Sequence, residues 1–234
     1  TQGSLYHDIL KDFYAIIKNK KDFLTISWPE TENLFNNFIE EKFKSSQKYG
    51  LYSLLWESIK QKIKENLLNF IKEDLQTIQE RGFVPSNFEY TINSTLNFNG
   101  QNLTLRAVAD RIDKSKDGKE CIAIDYKSKD KGVDIEKLIF TESSLQPPIY
   151  LEILNKTDNQ IFCSLAELAF ITHKVKNHTR SLSLEQFNTI KNKFTALLSF
   201  LGDLAQKGIY PIYCENKEYC NFCDFKDICR KNHL

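Results

Sequence analysis

The sequence predicts an α/β fold, and three observations carry that expectation. Apolar residues recur at helical spacing through the first third of the chain. The pattern then switches to period two between Phe88 and Lys127, broken by the turn signals Asn99-Gly100 and Asp117-Gly118. After that, helical and strand patterns alternate up to Gly208. Helix, three strands, helix, strand, with further helices before and after, is a layered α/β order.

Leu5, Ile9, Leu10, Phe13, Ile16 and Ile17 mark the first helix, and Leu34, Phe35, Phe38, Ile39 and Phe43 the second. Leu51–Gln79 reads as a long amphipathic helix, with Gly82 as its stop and Pro85 just beyond. Phe88 to Phe98 reads as a strand bulged near Asn93, Leu103 to Ile112 as its return and Cys121 to Lys127 as a third strand. Thr141–Leu154 reads as a helix with Pro147 and Pro148 near its start, and Ile161–His173 as a buried strand. Leu184–Lys207 reads as a long helix, followed by a short, irregular, cysteine-rich end. The expected organisation is one domain over 1–234: a helical segment 1–82, a sheet core 83–180, and a helix with a cysteine-rich tail at 181–234.

Composition excludes several classes. The 234 residues carry 32 Lys+Arg against 31 Asp+Glu, so there is no basic nucleic-acid tail, though a local basic groove is compatible with the balance. Eight glycines and five prolines exclude collagen-like or linker-like material. No apolar run is long enough to span a membrane, and Thr1-Gln2-Gly3-Ser4 does not begin a signal peptide, so a cytoplasmic chain is expected. With no methionine anywhere, the chain reads as a piece of a longer protein.

The chemistry concentrates at the strand ends. Alternation puts Asp125 and Lys127 on one face of the third strand and Ile122, Ile124 and Tyr126 on the other. If the Asp117-Gly118 turn makes a hairpin, Asp110 lies beside Asp125, while Asp113, an odd number of residues away, faces the opposite side. Two carboxylates and a lysine so placed can hold Mg²⁺ or Mn²⁺, activate a water and add positive charge beside a phosphodiester.

The ordered set Asp110-Arg111-Ile112-Asp113, Asp125-Tyr126-Lys127 and Gln146-x3-Tyr150, preceded by Gly3 and His7, resembles the PD-(D/E)XK nucleases, and within them the RecB/AddB-like branch. Two positions depart from that pattern: Ala107 stands where a glycine is usual, and Ser128-Lys129 where Thr-Gly is usual. The resemblance implies a restriction-endonuclease-like mixed sheet flanked by helices. It implies that Asp110, Asp125, His7 and the Tyr126 carbonyl bind the metal, that Lys127 is catalytic, and that Gln146 and Tyr150 line the site from one helix face. Glu89, with a weaker parallel, is expected to make a structural hydrogen bond. The implied activity is metal-dependent DNA hydrolysis, exonucleolytic rather than endonucleolytic. The implied setting is an AddB-type subunit in double-strand-break repair, with a helicase region upstream, a second helicase–nuclease subunit, and single-stranded DNA ends as substrate. A free-standing nuclease of CRISPR spacer acquisition and an inert nucleic-acid-binding domain of the same fold are the alternatives.

Four of the six cysteines fall in the last 21 residues. Cys220-x2-Cys223-x5-Cys229 can wrap a soft metal centre, either zinc or an iron–sulfur cluster. The resemblance favours a structural [4Fe-4S] cluster, its fourth ligand being Cys214 or a cysteine upstream of Thr1. Cys121 and Cys163 read as buried small hydrophobes. Lys127, Lys129 and Lys131, with Lys174, Lys176, His178 and Arg180, could form a basic rim, and Tyr49, Tyr52 and Trp56 could stack on bases.

Overall fold

A computed structural model describes residues 2–45, 53–98, 100–128, 133–140, 144–157, 162–171 and 179–209. Three helices come first: α1 (Gln2–Lys20), α2 (Trp28–Ser45) and α3 (Ser53–Arg81). They are followed by β1 (Val84–Phe98), β2 (Gln101–Lys114), β3 (Glu120–Lys127), α4 (Ile135–Phe140), α5 (Gln146–Thr157), β4 (Phe162–Phe170), β5 (Thr179–Ser183) and α6 (Leu184–Gln206). The five strands form one sheet in the order β1-β2-β3-β4-β5. β2–β3 and β4–β5 are antiparallel, whereas β3–β4 is parallel. The sheet is therefore mixed, as the resemblance implies. The parallel pair needs a crossover, and α4 and α5 supply it.

Local chemistry sets the boundaries. α2 starts where Ser27 Oγ accepts the Glu30 N–H, and α6 starts on a reciprocal capping box between Ser183 and Gln186. α5 carries Pro147 and Pro148 in its first turn, where missing amide donors cost nothing. The β2–β3 hairpin closes through Ser115–Glu120 and Ser115–Gly118 backbone bonds, with Gly118 at φ 71°. Cys121 and Cys163 are fully buried register partners on β3 and β4.

Two elements are absent from the sequence reading. α4 lies in a stretch to which the sequence pattern assigns no element: Asp134 caps it through the Lys137 N–H, and it buries Leu138 and Ile139. β5 falls where a basic loop is expected, because only Leu182 of its five residues is buried. Tyr49, Tyr52, Lys129, Lys131, Lys174, Lys176, His178 and the cysteines 214, 220, 223 and 229 lie outside the described residues. Arg180 serves the interior rather than a rim: its guanidinium sits 5.8 Å from the Phe170 ring and donates to the Val133 carbonyl. Trp56 packs edge-on to Phe43, with Lys60 over both rings, as a packing aromatic does.

Contacts group the chain into two compact units, residues 1–95 with 104–191, and residues 96–103 with 192–234. In the first, the apolar faces of α1, α2 and α3 cluster with Ile122, Ile124, Tyr126, Ala169 and Ile171 of the sheet. In the second, Gly202 lies so near Leu103 that an added Cβ would stand 2.5 Å from its Cδ2. Among the described residues no helix is long and apolar enough to cross a membrane.

Candidate metal centre

The centre grows from the β2–β3 hairpin. Arg111 pairs with Ile124, so the next step along the ladder sets Asp110 beside Asp125 on the face away from the helical core. Both are buried, at 8% and 5% exposure. Asp110 Oδ2 accepts the Tyr126 N–H at 2.6 Å, which fixes that carboxylate across the two strands.

α1 brings His7 to the same point. Its Nδ1 lies 3.1 Å from Asp110 Oδ1, and its Nε2 lies 3.1 Å from the Tyr126 carbonyl oxygen. With an acceptor at each ring nitrogen, the imidazolium form is favoured; the hydrogen bond to Asp110 is the main reason His7 binds its proton more tightly than usual. A cation bound through Nε2 must displace that proton, so protons and metal compete for His7.

Asp125 is held from both sides. Its Oδ2 is ion-paired with Lys127, and its Oδ1 lies 3.1 Å from the Tyr150 hydroxyl. That hydroxyl is also 2.7 Å from the Val108 carbonyl, and its one proton can serve only one acceptor at a time. Burial pushes the Asp125 carboxyl up and Lys127 pulls it down, while Asp110 adds a further upward push. With Glu89 beside them, Asp110 and Asp125 make three carboxylates against Lys127 and the His7 imidazolium, an excess of negative charge that a bound cation meets.

Glu89 corrects an expectation. Among the described residues no hydrogen bond is made by its side chain, and it is exposed. It takes φ 48°, the one non-glycine residue at positive φ among those described. His7, Glu89 and Asp110 each offer a ligand atom within 4.8 Å of the others, a grouping with the mixed nitrogen and oxygen donors that Mn²⁺ and Mg²⁺ sites use. Only the β1–β2 register sets Glu89 beside Asp110, so the sequence carries little signal for it. Gln146 opens α5 one turn before Tyr150 and is half-buried, but it is not drawn into this cluster.

Asp113 faces the other way, as alternation requires. Its carboxylate pairs with Arg111, whose guanidinium also grips Asp74 of α3 through two bonds and donates to the Tyr126 hydroxyl at 3.0 Å.

A chain from Eubacterium rectale described as a candidate exonuclease superposes with a TM-score of 0.51 at 10% identity, covering 98% of this chain and 75% of that one. The crystal structure of SSO0001 gives a looser likeness, a TM-score of 0.39 at 14% identity over 82% and 93% of the two chains. No curated protein sequence matches. The family model of the PD-(D/E)XK nuclease superfamily matches residues 1–230, and the chain belongs to that superfamily.

Proposed function

We propose that this chain is a divalent-metal-dependent deoxyribonuclease acting on single-stranded DNA ends. The observation that supports it best is the convergence of Asp110, Asp125, Lys127 and His7 from three separate elements. Asp110, Asp125, the Tyr126 carbonyl and His7 would hold Mg²⁺ or Mn²⁺, with the Glu89 carboxylate beside them. When bound, such an ion lowers the pKa of a coordinated water and offsets charge on the phosphate oxygens.

The chain's own groups do the rest. Lys127, its side chain 31% exposed, can swing from Asp125 to a substrate oxygen, orienting the attacking water or neutralising charge as it develops. Tyr150 holds Asp125 in place through its hydroxyl, and Gln146, one turn away on the same helix face, would line the strand's approach. The exonuclease-described neighbour supports end-directed cutting. The order of the four motifs supports an AddB-type setting beside a helicase and a second helicase–nuclease subunit.

The test is degradation of labelled single-stranded DNA with Mg²⁺ or Mn²⁺, run beside Asp125→Ala and an EDTA control. Metal-dependent cutting that disappears in the variant is expected. Cutting that survives Asp125→Ala, or none by a folded wild-type chain, would overturn the reading.

A further inference from the structure

Within the first unit, β1 and β2 run on past the reach of β3. β2 is 14 residues long and β3 only 8, and the ladder between them runs from Lys114–Cys121 to Arg111–Ile124. Beyond that point β2 continues beside β1 as a two-stranded ribbon. Thr95 Oγ1 and Thr104 Oγ1 lie 3.1 Å apart across it, and Glu89 and Asp110 also face one another. Stepping two residues at a time between these contacts sets Thr91 opposite Val108 and Asn93 opposite Arg106.

The burial pattern agrees: Thr91, Asn93 and Thr95 are exposed while Ile92 is buried, and Thr104 and Arg106 are exposed on the other strand. One ribbon face therefore carries Thr95/Thr104, then Asn93/Arg106, then Thr91, and ends at Glu89/Asp110 in the candidate metal centre. Successive rungs are about 6.8 Å apart, on the order of the phosphate-to-phosphate step of an extended single strand. Arg106 stands two rungs from Asp110 and makes no hydrogen bond or ion pair with the described residues. An exposed guanidinium without a partner among the described residues, flanked by hydroxyl and amide donors, matches the groups that grip nucleic-acid backbones without reading bases.

We propose that this ribbon face is the track along which a single nucleic-acid strand lies as it enters the metal centre. Arg106 holds the phosphate two steps from the scissile one, and Asn93, Thr95 and Thr104 donate to its neighbours. Three observations argue for this occupant: the face is continuous with the centre, its rungs repeat at the backbone's own step, and the one charge it carries beyond the centre, Arg106, is complementary to phosphate. The inference rests on the nuclease reading, and its test is separable from that reading.

Binding of fluorescein-labelled (dT)15 is followed by anisotropy in EDTA, where no cutting interferes, across a salt series. Arg106→Ala is expected to weaken binding about five- to tenfold and to reduce the slope of log K against log salt by about 0.7, the share of one phosphate contact on a single strand. Arg106→Lys keeps the slope. Asn93→Ala combined with Thr104→Val weakens binding without changing it. Equal affinity and slope for Arg106→Ala, or no binding by the wild-type chain, would overturn the track. Wild-type binding without Mn²⁺-dependent cutting would instead overturn the nuclease reading and leave the track standing.

Discussion

Asp110 and Arg111 are neighbours in sequence, yet they belong to two charged clusters on opposite faces of β2. On the core face, Arg111 is 1% exposed and enclosed by fixed partners: it holds Asp74 and Asp113, donates to Tyr126, and stacks 4.9 Å over the Tyr14 ring. On the other face, Asp110 and Asp125 share one half-exposed lysine and one histidine. The core cluster spends its charges on fixed partners and so ties β2 to α3. The outer cluster pairs its buried carboxylates with His7 and Lys127, side chains 30% and 31% exposed, at a point open to solvent. Buried charge is structural where its partners are enclosed and fixed, and available for chemistry where they face solvent and can be exchanged.

The sharpest break of this contrast pairs one substitution from each face. Arg111→Met strands the buried Asp113 and the half-buried Asp74 carboxylates and should cost about 3–5 kcal/mol in a urea melt. Asp125→Ala should lower kcat by about 10²–10³-fold while the urea midpoint moves little or rises. A severe loss of stability in Asp125→Ala, or an unperturbed Arg111→Met, would erase the division between the faces.

Cation binding sharpens the contrast from the outer side. Mn²⁺ at a hundred times its dissociation constant should stabilise the wild-type chain by about 2.7 kcal/mol, read as a higher Tm, and should do far less for Asp110→Ala. An equal gain in both would place the ion elsewhere.

The core face has its own pH signature. Arg111 is one cation serving two carboxylates, and burial pushes the Asp113 carboxyl up to about 7. The folded chain then keeps a proton that the unfolded chain releases between about pH 4 and 7, so stability falls as pH rises through that window, by at most about 1.4 kcal/mol per pH unit. Asp113→Asn should flatten the slope in a pH series of urea melts; an unchanged slope would assign it to another group.

The smallest expected effect concerns Glu89. Its left-handed backbone is costly for a side chain with a Cβ. Glu89→Gly should therefore gain about 1 kcal/mol while weakening Mn²⁺ binding a few-fold, measured by titration calorimetry. Tighter or unchanged Mn²⁺ binding would remove Glu89 from the centre.

Much of the centre was legible because strand alternation is local. Alternation paired Asp125 with Lys127, and the Asp117-Gly118 turn placed Asp110 beside them with Asp113 behind. The long periodic helices were legible for the same reason. α4 and β5 were not, since six and five residues are too few to show a period. Glu89 was read as structural, because the bend that turns its carboxylate toward His7 leaves no mark in composition. Arg180 was read as part of a surface rim, yet it packs on Phe170 and Val133, partners far from it in the chain.

By itself, then, the sequence determined the layered α/β order, the faces of β2 and β3, and the residue types that gather at their ends. These follow from backbone geometry repeating every two or 3.6 residues, which short stretches already display. Only the tertiary structure decided that α1 delivers His7 to the Tyr126 carbonyl, that α3 sends Asp74 to Arg111, and that Glu89 turns toward Asp110. Each of these depends on how distant segments pack and on where burial makes an unpaired charge too costly to leave alone.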